Sequence, residues 1–312
     1  MKSIYSMKSM WIKVLFILGG LLCLSGLVDS PIALVLGFLF TLFLGNPFEK
    51  LVHDGIQYLL KISVIGLGFG MYFMETIQTG KDGLFITIFT IAITFSVGYI
   101  LAKLLRMDLK LGHLISSGTS ICGGSAIAAV SPVIQAKPKI ISVALCVVFF
   151  LNSVALFVFP AVGHYFHLTQ HQFGVWAAVA IHDTSSVVGS ALSYGTEALT
   201  VATTIKLART LWIIPVSIIS MFVFKTTKGK IKIPWFILLF ILAILIHSYL
   251  PMPEALTNGI TGLSKRLLIV TLFLVGSTLS ISDMKETGPK PFLLGFLLWM
   301  TISISSLIFI LN

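Results

Sequence analysis

Apolar positions in this chain gather into eleven long runs, at roughly 11–27, 31–45, 55–74, 84–103, 112–136, 140–162, 173–195, 199–224, 233–250, 260–281 and 291–311. A helix needs about 20 such residues to cross a hydrocarbon layer of roughly 30 Å, so each run predicts a membrane segment. Two runs break their own pattern. Gly118-Thr119-Ser120-Ile121-Cys122-Gly123-Gly124-Ser125 and Ile181-His182-Asp183-Thr184-Ser185-Ser186 put polar side chains and flexible backbone between apolar arms about ten residues long. The pattern predicts an all-α polytopic membrane protein of about eleven segments, two of them interrupted helices or re-entrant hairpins. No intervening loop is long enough for a soluble domain, so residues 1–312 read as a single transmembrane domain.

Composition agrees with the lipid bilayer as solvent. With 57% hydrophobic and 10% charged residues and a mean hydropathy of +1.03, the chain has too little polar surface to coat a soluble globule. The net charge of +10 carries topology rather than nucleic-acid affinity, because Lys and Arg fall mainly in alternate short loops. A cytoplasmic N-terminus keeps Lys103, Arg106 and Lys110, then Lys225, Lys228, Lys230 and Lys232, then Lys285 and Lys290 inside. The first run follows Lys2, Lys8 and Lys13 without a convincing cleavage site and reads as a retained helix. Cys23, Cys122 and Cys146 lie within apolar runs and have neither disulfide nor zinc-ligand spacing. His164, His167 and His171 sit in a loop whose spacing only loosely resembles a metal site. No cofactor, resident metal or nucleotide-binding loop is signalled.

Two internal registers suggest inverted repeats. A shift of 208 pairs residues 60–80 with 268–288, matching Gly68 to Gly276, Glu75 to Asp283 and Thr79-Gly80 to Thr287-Gly288. A weaker shift of 60 lays Ile121 to Ser125 on Ile181 to Ser185. Crossing counts make the interrupted stretches antiparallel if each is a re-entrant hairpin. Hairpins also move Lys137 and Lys139 inside, changing the inside-to-outside basic count from 13:5 to 15:3. A pair of discontinuous crossing helices is the other geometry that the pattern allows.

Either geometry leaves backbone groups unpaired in a low-dielectric region, and a half-helix starting near Ser125 offers a positive dipole end suited to an anion. Thr119, Ser120, Ser125, Thr184, Ser185 and Ser186 add hydroxyl groups. Small residues that merely let helices pack closely are the bland alternative. Lys206 and Arg209 lie well inside a run of about 26 residues and share one helix face at i,i+3 spacing. Each costs at least ~2.5 kcal/mol at mid-bilayer, so each needs a partner or an aqueous cavity. Asp183 is the evident partner, and one carboxylate against two cations leaves one positive charge over. The alternative is a structural ion pair with the second cation snorkelling outward. His182 could carry a proton or simply pack.

The stretch from Gly118 to Ala129, with Ile181-His182-Asp183-Thr184, Lys206-Leu207-Ala208-Arg209 and Lys290-Pro291-Phe292-Leu293-Leu294-Gly295-Phe296-Leu297-Leu298-Trp299, resembles the YeiH-type conserved membrane proteins, the family that carries a sulfate-exporter label. The resemblance covers nearly the whole chain and implies a multi-pass inner-membrane carrier, distantly similar to the sodium/proton antiporter and bile-acid symporter class. Ser186 departs from it where Gln is common, which bears on substrate preference. The combined expectation is a secondary transporter of a small oxyanion, such as sulfate or an organosulfonate, working by alternating access. Its substrate site would draw on Thr119, Ser120, Cys122, Gly123, Gly124, Ser125, His182, Asp183, Thr184, Ser185, Lys206 and Arg209. A proton or sodium ion would couple transport, and a homodimer is left open. The competing readings are an anion channel and an intramembrane enzyme with Cys122 as nucleophile beside His182 and Asp183.

Overall fold

A computed structural model describes residues 2–226, 236–278 and 288–311. It is helical throughout, with no strand among the described residues. In chain order the helices are α1 (Lys2–Leu24), α2 (Ser30–Leu44), α3 (Glu49–Leu67), α4 (Phe73–Leu104), α5 (Leu109–Ser120), α6 (Gly124–Val133), α7 (Pro138–Tyr165), α8 (Gln170–Ala180), α9 (Thr184–Tyr194), α10 (Thr196–Thr210), α11 (Ile213–Val223), α12 (Phe236–Tyr249), α13 (Glu254–Gly276) and α14 (Pro289–Leu311). Each predicted run corresponds to one helix or one closely linked pair. The first helix starts earlier than its apolar run, at Lys2, and the tails of the runs near 233 and 281 lie outside the described residues. So do the matches Glu75–Asp283 and Thr79–Thr287, as well as Lys228, Lys230, Lys232 and Lys285.

The chain divides into two compact units, one made of residues 1–73 and 236–280 and the other of residues 74–235 and 281–312. In the first unit α13 packs against α1, α2 and α3. Glycine permits its closest approach. A Cβ on Gly37 of α2 would lie 1.9 Å from Phe273 O, and one on Gly276 of α13 would lie 2.0 Å from Leu34 O. The two backbones therefore touch through a reciprocal pair of small residues, the usual means of tight helix contact in lipid. Thr41 Oγ1 and Asn46 Nδ2 both donate to Ser277 O, at 2.9 and 3.1 Å, and cap the end of α13.

In the second unit the interrupted runs are both re-entrant hairpins. Asp108 caps the start of α5, accepting from the N–H groups of Lys110 and Leu111, and Lys110 Nζ then donates to Gln135 O just beyond α6, at 3.1 Å. A Cβ on Gly118 would meet Ile127 Cδ1 at 2.9 Å, so α6 runs back along α5. The α8–α9 pair does the same. Thr169 and Gln172 form a capping box at the start of α8. At the end of α9, Tyr194 Oη donates to Leu168 O at 2.7 Å, and the Tyr194 ring stacks on Phe173 at 3.7 Å. Gln170 Oε1 also accepts from Glu197 N–H at 3.0 Å. Because the 28 residues of α7 run between the two hairpins, one enters from each end of the unit. The crossing-helix alternative is excluded. The shift of 60 holds at every boundary of the breaks, since α5 and α8 end at 120 and 180 while α6 and α9 begin at 124 and 184.

Candidate functional site

The hairpin arms contain 12, 10, 11 and 11 residues. At ~1.5 Å per residue such arms reach about 15–18 Å, half of a ~30 Å hydrocarbon layer, and their tips therefore meet near its middle. The contact itself is made through Gly123. This residue has φ +65° and ψ −126°, a conformation natural only to glycine, and an added Cβ would sit 3.1 Å from both Cα and Cβ of Asp183. Glycine is thus required there twice, once for the backbone turn and once for the approach.

Each tip presents one helix C-terminus and one N-terminus, four partial charges in a confined space. The cations come from α10, which continues through Leu211 and Trp212 into α11 as one 28-residue span, so that Lys206 and Arg209 stand at mid-length. Both are fully buried. Lys206 Nζ donates to Ile181 O at 2.7 Å and to Ala178 O at 3.2 Å, at the C-terminus of α8. Arg209 Nε donates to Ser120 O at 2.7 Å, at the C-terminus of α5. The Asp183 carboxylate is the N-cap of α9 and accepts from Ser185 N–H at 3.0 Å and from the Ser185 hydroxyl. The hydrogen bonds therefore differ from the expected pairing of Asp183 with the two cations. Each charge instead answers the opposite end of a helix, which supplies directed lone pairs or N–H groups.

Asn152 of α7 completes the second tip and was not singled out from the sequence. Its Oδ1 accepts from His182 N–H and Asp183 N–H, at 3.0 and 3.1 Å. In an uninterrupted helix His182 N–H would bond Ala178 O, so diverting it to Asn152 leaves that carbonyl free for Lys206. The available signal was a lone amide in a long apolar run, where it must find a partner.

Three of the four helix ends thus meet a charged side chain of the protein, whereas at the fourth only the buried Cys122 thiol lies against a backbone N–H, that of Ala126. The N-terminus of α6 begins after Gly123 with no side-chain cap. Ser125 on its first turn is exposed and Gly124 is half-buried beside Phe149. Asp183 is also half-buried, whereas Thr119, Ser120, Cys122, His182, Thr184 and Ser185 are buried. Around these tips several buried groups have no hydrogen-bond partner among the described residues: Arg209 Nη1 and Nη2, both ring nitrogens of His182, Thr119 Oγ1 and Asn152 Nδ2. Both ring nitrogens of His182 are among these unbonded groups, so His182 makes no hydrogen bond to Cys122 here. The other outlying candidates serve packing. His164 stacks on Tyr194.

Residues 9–295 match the family model described as conserved hypothetical protein 698. Among curated proteins, the chain is 50% identical to a UPF0324 membrane protein of Photobacterium profundum, covering 95% of this chain and 91% of that one. It is 48% identical to a UPF0324 membrane protein of Bacteroides thetaiotaomicron, covering 93% and 89%. A UPF0324 membrane protein of Geobacter sulfurreducens is 44% identical, with 92% of each chain covered. No solved structure matches the chain.

Proposed function

The chain belongs to the conserved hypothetical protein 698, or UPF0324, family of membrane proteins, and from that premise we propose that it is a secondary transporter of a small oxyanion, of the sulfate or organosulfonate class, working by alternating access. The observation that carries this reading is the one helix end, the N-terminus of α6, that meets no charged side chain and only the Cys122 thiol. Lys206, Arg209 and Asp183 each serve one of the other three ends. Since two N-terminal and two C-terminal dipole ends cancel, the two cations and one carboxylate leave the site with one excess positive charge. A monovalent or divalent oxyanion at the first turn of α6 would accept N–H groups of that turn and the Ser125 hydroxyl. Arg209, with two unbonded amino groups, supplies the field and has donors free for direct contact.

A mid-membrane position suits a carrier, because a site at that depth can be opened to either side in turn. The protein would reside in a bacterial inner membrane with its N-terminus in the cytoplasm, the orientation that places the basic loops inside. The test is a thermal-shift screen of purified protein against sulfate, sulfite, thiosulfate, taurine and small carboxylates, followed by counterflow of the stabilising anion in proteoliposomes. Saturable counterflow is expected, and Arg209→Ala should abolish the ligand-induced shift. An undiminished shift in that variant would remove Arg209 from the site, and non-saturable flux would identify a channel.

A further inference from the structure

Carriers built on broken helices hold their coupling cations with unwound backbone carbonyls and half-helix C-terminal ends. In this protein those two ends are already occupied by side chains. The Lys206 ammonium lies within hydrogen-bond distance of Ile181 O and Ala178 O, and the Arg209 guanidinium caps Ser120 O. We propose that Lys206 and Arg209 are tethered replacements for a coupling cation, so that this protein carries its anion without sodium. The inference rests on the transporter reading of the same site but makes a separate claim about which ion the site rejects.

Three observations carry it. First, the carbonyl oxygens that would bind a sodium ion are used by nitrogen atoms, and Asn152 Oδ1 creates one of the vacancies by drawing His182 N–H away from Ala178 O. Second, two fixed cations beside one carboxylate repel a third cation in a low-dielectric setting. Third, both come from one helix. At the shift of 60, the positions on α7 that correspond to Lys206 and Arg209 are Cys146 and Phe149, so the second repeat supplies the cation for each hairpin. A charge fixed to the α10 backbone cannot leave with the cargo, and the anion rather than a free cation then changes the net charge of the site during a cycle.

The decisive comparison needs no transport. Thermal unfolding of the wild-type protein is measured in sodium, potassium and choline chloride at equal ionic strength, and the same midpoint is expected in all three. A saturable, sodium-specific rise would overturn the proposal. Removing the ammonium should create what the wild type lacks, so Lys206→Met gains a saturable sodium-specific rise while Lys206→Arg, which keeps the positive charge, shows none. A Lys206→Met variant that folds and ignores sodium would also overturn it. Should that variant not fold, the wild-type comparison and Lys206→Arg decide the matter. Uptake of the anion found by the thermal screen should continue at an unchanged rate when choline replaces sodium on both sides, and dependence on a sodium gradient would refute the idea. A complete lack of anion uptake, with the sodium-independent midpoint intact, would count against the transporter reading alone.

Discussion

At the residue scale, Asn152 decides how the second tip is wired. Its Oδ1 meets two consecutive N–H groups, those of His182 and Asp183, inside a 28-residue helix that is mostly apolar. Replacing it with leucine leaves the Asp183 N–H without its acceptor, at about 1–3 kcal/mol. It also frees His182 N–H to reclaim Ala178 O and so to compete with Lys206. Asn152→Leu should therefore lower the thermal midpoint strongly and weaken the anion-induced shift, whereas Asn152→Asp keeps an oxygen in place and should retain more of both. Equal midpoints for Asn152→Leu and wild type would show that the tip does not depend on this amide. The residue types at the site were legible because each is expensive in lipid. Their partners were not, since sequence pairs a charge with a charge and has no way to display the carbonyl at a helix end. Lys206 and Asp183 illustrate this, for each satisfies backbone.

At the element scale, the informative quantity was length. Arms of about ten residues cannot cross a bilayer, and the shift of 60 that superposes residues 121–125 on 181–185 recurs in the helix boundaries themselves. Few identities support that register because a hairpin tip needs a break and small or capping residues, not a particular string. Gly123 and Asp183 hold equivalent N-cap positions with unrelated side chains. The shift of 208 places Gly68 in a short 3₁₀ turn directly after α3 and Gly276 at the last turn of α13, so both glycines mark helix ends. Hydrophobicity gave no warning of how tightly α13 meets α2. Their contact predicts that Gly37→Ala and Gly276→Ala, which would place a methyl group 1.9 and 2.0 Å from backbone oxygen, each force the helices apart. Overpacking of this kind costs about 1–3 kcal/mol. Gly20→Ala in α1 is the control, because nothing lies within 4 Å of its added Cβ. It should be neutral or stabilising, and a uniform loss across all three variants would argue against the close contact.

At the scale of the whole molecule, topology is what separates a pair of hairpins from a pair of crossing helices. Arg106 precedes the first hairpin and Gln135 follows it, and both are exposed. His167 and Glu197 bracket the second hairpin in the same way and are also exposed. Re-entrant hairpins require Arg106 and Gln135 to share one side of the membrane and His167 and Glu197 to share the other, because α7 alone separates the pairs. Single cysteines at these four positions, in a background with Cys23, Cys122 and Cys146 replaced, should react with a membrane-impermeant maleimide in two matched pairs. With the N-terminus cytoplasmic, the His167 and Glu197 positions label in intact cells and the other two only after permeabilisation. The pairing and the orientation are independent readings of one experiment. A swapped pattern would reverse the assigned orientation while preserving the hairpins. Opposite labelling within either pair would mean that the corresponding segment crosses completely, and its tip could then no longer bring two helix ends of opposite polarity to the middle of the bilayer, where the anion site and its fixed cations both depend on them.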